Sequence, residues 1–206
     1  MSLLTTLDEI VLASNNQGKL KEFVALFNQY GISIRAQGEF HVAECDEPFH
    51  TFLENALAKA RHASKETGLA AIADDSGIVV PALKGFPGVM SARYATLFGE
   101  PKSDANNNAC LIRQLQAHSD KSAAYLAVLV FVRHADDPAP LVAQSWWHGV
   151  IVEEPRGANG FGYDPHFYLP DYGLTAAEME PALKNSLSHR AAALKKLIAE
   201  MEEAQQ

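Results

Sequence analysis

The segment Ala123–Val132 is apolar without a break. It falls far short of the roughly 20 residues that a membrane-spanning helix needs. A strand apolar on both faces has no solvent side, so it reads as the central strand of a covered sheet. The rest of the chain supplies elements to cover it. Ile10-Val11-Leu12-Ala13 is a second buried strand, followed by a polar turn, Ser14 to Gly18. Leu20, Phe23, Val24 and Phe27 then recur at the spacing of one helix face, up to Gly31. Ile32-Ser33-Ile34 resumes as strand.

Thr51 with Glu54 fits a capping box. It opens a helix with Leu53, Ala56, Leu57, Ala60 and Ala63 on its apolar face and Asn55, Lys59 and His62 on another. Leu69–Val80 reads as strand interrupted at Asp74-Asp75-Ser76-Gly77. Asp104 to about His118 is expected to be helical, Leu141–Val152 a strand, and Asn185 to Glu203 a final helix. Strands and helices alternate early and a strand pair comes late, which predicts an α/β fold with a mixed central sheet flanked by helices.

The chain has 206 residues, 48% of them apolar and 20% charged, the make-up of an ordinary globular domain. A formal net charge of −8 excludes wrapping of long nucleic acid by bulk electrostatics, yet allows a small anionic substrate if local cations or a metal offset the field. Cys45 and Cys110 form no CxxC pair and read as free thiols of a reducing compartment. Met1 to Glu9 lacks the pattern of a signal peptide. A cytoplasmic protein without a membrane partner is the expectation.

Five segments carry chemistry. Ser14-Asn15-Asn16-Gln17-Gly18-Lys19 joins a strand to a helix N-terminus, where unsatisfied N–H groups and the helix dipole favour anions. It is not a P-loop, because Ala13 and Leu20 stand where that motif needs glycine and serine or threonine. Asp74 and Asp75 are adjacent carboxylates that repel unless cations lie near, and hard oxygen ligands select Mg²⁺ or Mn²⁺. The same residues also suit an Asx turn. Glu44, Asp46 and Glu47 lie just before the Thr51 helix, and one of them could join Asp75 at a metal. Gly160-Phe161-Gly162-Tyr163-Asp164-Pro165 sets aromatics in a glycine turn, where rings could stack on a nucleobase and backbone N–H groups could reach its edge. Lys184 and Ser188-His189-Arg190 add cations downstream.

These segments, with Pro87-Gly88-Val89-Met90-Ser91-Ala92-Arg93-Tyr94 between them, occur in the order found in one family. The chain resembles the Ham1/RdgB-like inosine triphosphate pyrophosphatases, also called non-canonical purine nucleoside triphosphatases. The resemblance implies one domain over residues 1–206 with two lobes and the active-site cleft between them. It implies Mg²⁺-dependent hydrolysis of ITP, dITP and XTP to the monophosphate and pyrophosphate, with Mn²⁺ as a substitute, which clears deaminated purines from the nucleotide pool. It also implies a homodimer. Asp75 matches the proton acceptor and a metal ligand, and Glu47 the second metal ligand. Ser14, Asn15, Asn16, Gln17, Gly18, Lys19, Lys59 and Ser76 match the triphosphate contacts. Phe161, Gly162, Tyr163, Asp164, Lys184, His189 and Arg190 match the base and sugar side. Ser14-Asn15-Asn16 stands where other members read Thr-Gly-Asn, and Trp147 lies where some relatives carry an aromatic. The rival readings are a Maf-like pyrophosphatase acting on pyrimidine nucleotides and a catalytically silent nucleotide sensor.

Overall fold

The computed structural model describes residues 2–204; Met1 and Gln205-Gln206, the ends of the expected single domain, lie outside the described residues. Seven strands, β1 (Glu9–Leu12), β2 (Ser33–Ala36), β3 (Ala71–Val79), β4 (Ser122–Val132), β5 (Leu141–Ile151), β6 (Phe167–Leu169) and β7 (Leu174–Thr175), form one sheet in the order β2-β1-β3-β4-β5-β6-β7. β1 pairs in parallel with β2 and β3, whereas β6 is antiparallel to β5 and β7, so the sheet is mixed as expected. The helices are α1 (Gln17–Phe27), α2 (Phe52–Thr67), α3 (Asp104–Leu115), α4 (Pro181–Leu187) and α5 (His189–Glu203). Among the described residues, no helix is long and apolar enough to cross a membrane.

The chain divides into two compact units, one of Met1–Asp75, Ala127–Ser145 and Arg190–Gln206, the other of Ser76–Leu126 and Trp146–His189. The first unit packs Ile10, Leu12, Ile72, Leu129 and Phe131 of the strands against Phe23 and Phe27 of α1 and Leu197, Ile198 and Met201 of α5. Phe23 and Phe27 lie one turn apart and are fully buried, each burial stabilising by about 1.5–3 kcal/mol. The Asn16 side chain caps α1, and Gly31 ends the turn after it at φ 74°. In the second unit Ile78, Tyr94, Leu111, Tyr125, Trp147, Tyr163 and Phe167 share one core.

Three sequence expectations need correction. β3 is not interrupted at Asp74–Gly77 but runs through it, because the backbone stays extended while neighbouring cations neutralise the carboxylates. The last helix is two: Ser188 adopts an extended conformation, ψ 156°, and separates α4 from α5. On α2 the buried stripe is Phe52, Ala56, Ala60 and Ala63, and Leu53 is 44% exposed. Phe52 takes the first core position, which leaves Leu53 on the flank. The Gly88–Phe98 stretch is two 3₁₀ helices meeting at a kink at Arg93, elements the periodicity did not announce.

Candidate active site

β3 delivers Asp74 and Asp75 as neighbours on opposite faces of a strand. Asp74 is completely buried. Arg190 donates to its Oδ2 from Nε at 2.5 Å, and the Lys19 ammonium lies 3.5 Å from the same oxygen. Burial alone would raise the pKa of Asp74, but Arg190 and Lys19 outweigh it and hold this carboxyl well below the usual range. Its Oδ1 is buried without a hydrogen-bond partner among the described residues. Arg190 also donates from its Nη1 to Glu22 of α1 at 3.3 Å. Arg190 thus lies inside the first unit with Asp74 and Glu22.

Asp75 faces Lys59, whose ammonium donates at 2.8 Å to both Asp75 Oδ1 and Glu47 Oε1. Burial pushes the Asp75 carboxyl up by more than Lys59 pulls it down. Burial would lower Lys59, but Asp75 and Glu47 outweigh it and keep the ammonium charged. Lys19 and Lys59 both donate to the Asp74 carbonyl at 3.2 Å, so two cations meet at one point of β3. Burial lowers Lys19 by more than Asp74 raises it.

The α2 face marked by Asn55, Lys59 and His62 grips the acidic loop along its length. Asn55, buried to 1% exposure, accepts from the Phe49 N–H and donates to its carbonyl. Lys59 holds Glu47, and His62 Nε2 donates to the Ala43 carbonyl at 3.0 Å. The loop therefore presents Glu47, while Glu44 and Asp46 are exposed. Glu47 and Asp75 are hard oxygen donors already sharing one cation. Mg²⁺ is commonly held by one or two carboxylates together with substrate phosphates, and this pair fits that pattern. Among the described residues no three His, Cys, Asp or Glu side chains form a ready-made metal cage.

The loop before α1 is held by its own side chains, which cap the helix. Asn16 Oδ1 accepts from the Gly18 and Lys19 N–H groups at 2.9 and 3.1 Å, and Ser14 Oγ accepts from the Asn16 N–H. The cap thus satisfies two N–H groups of the helix start. Asn15 Oδ1 accepts from the Gly38 N–H at 2.9 Å and ties the loop to the turn after β2. Asn15, Gln17 and Gly18 are exposed.

In the second unit, Asp164 organises the glycine turn. Its Oδ2 accepts from the Phe161 N–H at 2.9 Å and pairs with Lys184, and its Oδ1 accepts from the Tyr125 hydroxyl at 3.2 Å. The Lys184 ammonium sits 5.2 Å over the Phe161 ring, which is 61% exposed. Asp104 and Asn108, one turn apart on α3, hold both polar groups of Gly162: Asp104 accepts from its N–H and Asn108 donates to its carbonyl, each at 2.8 Å. The N–H groups of Phe161 and Gly162, expected to read a base edge, are therefore occupied by carboxylates. Tyr163 is buried and donates to the Ser91 carbonyl at 2.8 Å, so its ring belongs to the core. Ser76 is half-buried on β3. The His189 ring stacks on Tyr125, centroids 4.9 Å apart at 8°, with Trp147 at 6.4 Å. Glu22, Asp104, Asn108 and Tyr125 carried no motif that would single them out.

Residues 10–200 match the Ham1 family model, and the chain belongs to that family. It is 63% identical to the dITP/XTP pyrophosphatase of Burkholderia pseudomallei (strain K96243) over 194 residues, covering 94% of this chain and 93% of that protein. It is 60% identical to the enzyme of the same name from Chromobacterium violaceum, covering 94% and 97%. Its fold matches a HAM1 protein from Coxiella burnetii with a TM-score of 0.91 at 46% identity, covering 96% of this chain and all of that one. The Staphylococcus aureus Ham1 protein matches at 0.86 and 38%, with the same coverage.

Proposed function

We propose that this protein is a nucleoside triphosphate pyrophosphatase that hydrolyses ITP, dITP and XTP to the monophosphate and pyrophosphate. The observation that carries the reading is the meeting of Lys19 and Lys59 at the Asp74 carbonyl beside the Glu47–Lys59–Asp75 bridge. The names of the curated relatives support it. Phosphoryl substitution needs positioning and charge neutralisation more than covalent help. Lys19 and Lys59 neutralise the charge that grows on the leaving pyrophosphate. Asp75, with its raised carboxyl, takes the proton of the water that attacks the α-phosphorus. Asp74 is committed to Arg190 and Lys19 and holds them rather than accepting that proton. Mg²⁺ at Glu47 and Asp75, with Mn²⁺ as a substitute, supplies a Lewis acid for the phosphate oxygens when bound.

The base is taken at the Phe161 turn. Phe161 offers an exposed stacking face with the Lys184 ammonium over it, and His189, stacked on Tyr125, is a second side-chain donor of the same unit. A donor set suits the 6-oxo group of hypoxanthine and xanthine and leaves buried donors unpaired against adenine, a mismatch that can discriminate by about 10⁴. The reading extends to a cytoplasmic homodimer, an assembly that sedimentation would check. The test of function is pyrophosphate release from ITP, dITP, XTP and the four standard triphosphates, with and without Mg²⁺. Mg²⁺-dependent release from the first three is expected; equal turnover of ATP and GTP would remove the specificity claim. Binding without release would favour a sensor.

A further inference from the structure

Tyr125 sits on β4, buried, in the core of the second unit. Its ring stacks flat on His189 at 4.9 Å, meets the edge of Phe167 at 4.7 Å and lies 6.4 Å from Trp147. Phenylalanine would fill the same space. A buried hydroxyl costs free energy unless it is hydrogen-bonded, and this one donates to Asp164 Oδ1 at 3.2 Å. We infer that Tyr125 is a positioning residue that couples the His189 ring to the Asp164 carboxylate, so that both present one fixed arrangement to the base.

The coupling works through both ends of the side chain. Asp164 Oδ2 is committed to the Phe161 N–H and Lys184, and the Tyr125 hydroxyl on Oδ1 locks the remaining rotation of the carboxylate. Lys184 depends on that orientation for its place over Phe161. At the other end, the near-parallel stack at 8° sets the plane in which His189 points its ring nitrogens. Burial first, and then the Asp164 charge, push the pKa of the phenol well above its ordinary value, so the hydroxyl remains a donor.

The inference rests on the proposed pyrophosphatase reading, and two variants separate its parts. Tyr125→Phe keeps the packing and removes the hydroxyl; Tyr125→Leu removes the stack as well. The loss of one hydrogen bond to a charged group is expected to raise the KM for ITP by about tenfold in Tyr125→Phe, with kcat within about twofold, and to narrow the ITP/ATP ratio. Tyr125→Leu is expected to narrow that ratio further. Thr175→Val, which removes a buried hydroxyl bonded to the Arg156 carbonyl in the same unit, should leave both quantities unchanged. Parent-like KM and ITP/ATP ratio in both Tyr125 variants would overturn the inference. An inactive parent would instead defeat the pyrophosphatase reading. In that event the coupling is read from the His189 imidazole proton resonances, which should shift in Tyr125→Leu on losing the ring current; unshifted resonances would overturn it independently of turnover.

Discussion

Arg190 donates from its Nε to the buried carboxylate of Asp74 at 2.5 Å across 116 residues of sequence. Both side chains are almost fully enclosed, and the same Asp74 oxygen lies 3.5 Å from the Lys19 ammonium. Removing one member of a buried pair leaves the other charge uncompensated and costs about 3–5 kcal/mol. Asp74→Asn is therefore expected to lower the melting temperature by on the order of 10 °C. The pH dependence follows from the depressed Asp74 carboxyl. Its contribution is complete above the unfolded value of about 4 and is lost as pH falls below that toward the folded value. The parent should lose stability on this acid limb more steeply than Asp74→Asn. Thermal unfolding across the acid range checks it, and equal slopes would refute the assignment.

Asp75 is raised by burial where Asp74 is depressed, although the two are adjacent. The difference lies in their partners: Asp74 has Arg190 and Lys19, whereas Asp75 shares Lys59 with Glu47. That environment suits a proton acceptor. Asp75→Asn is expected to reduce pyrophosphate release by about 10²–10⁴ while nucleotide binding persists. Since Lys59 already serves two carboxylates, the triphosphate needs a further cation, and chelation of divalent ions should abolish release until Mg²⁺ or Mn²⁺ is restored. Near-normal turnover of Asp75→Asn, or turnover indifferent to chelator, would defeat this account.

The central sheet was readable because its strongest signal, the apolar run of β4, is local, as is the Thr51 cap of α2. The Asn55, Lys59 and His62 face was also visible as a period, but what it grips was not. Periodicity reports which residues share a face and nothing about the loop laid across it. The break at Ser188 escaped notice for a related reason: no proline or glycine marks it, and its extended backbone shows only in the fold. Tyr125, Asp104 and Asn108 reach the glycine turn across 39, 58 and 54 residues, separations at which a lone sequence carries no pairing signal. Nor does the sequence show that Asp164 and Asp104 accept from the turn's Phe161 and Gly162 N–H groups.

Gly160 and Gly162 offer a matched pair of substitutions in that turn. Both have positive φ, 79° and 62°, so alanine at either incurs about 1–2 kcal/mol of backbone strain. Only Gly160 is also crowded: a Cβ there would lie 2.0 Å from Asp164 Oδ2 and 2.9 Å from Lys184 Nζ, whereas at Gly162 nothing lies within 4 Å. Gly160→Ala must therefore displace the carboxylate that holds Phe161 and Lys184. It is expected to raise the KM for ITP by more than about tenfold, because uniform binding is lost, with a smaller effect on kcat. Gly162→Ala should lower stability by the strain alone and leave KM within a fewfold of the parent. Steady-state kinetics and thermal unfolding of the two variants distinguish crowding from strain, and equal effects at both positions would show that Asp164 does not organise the turn.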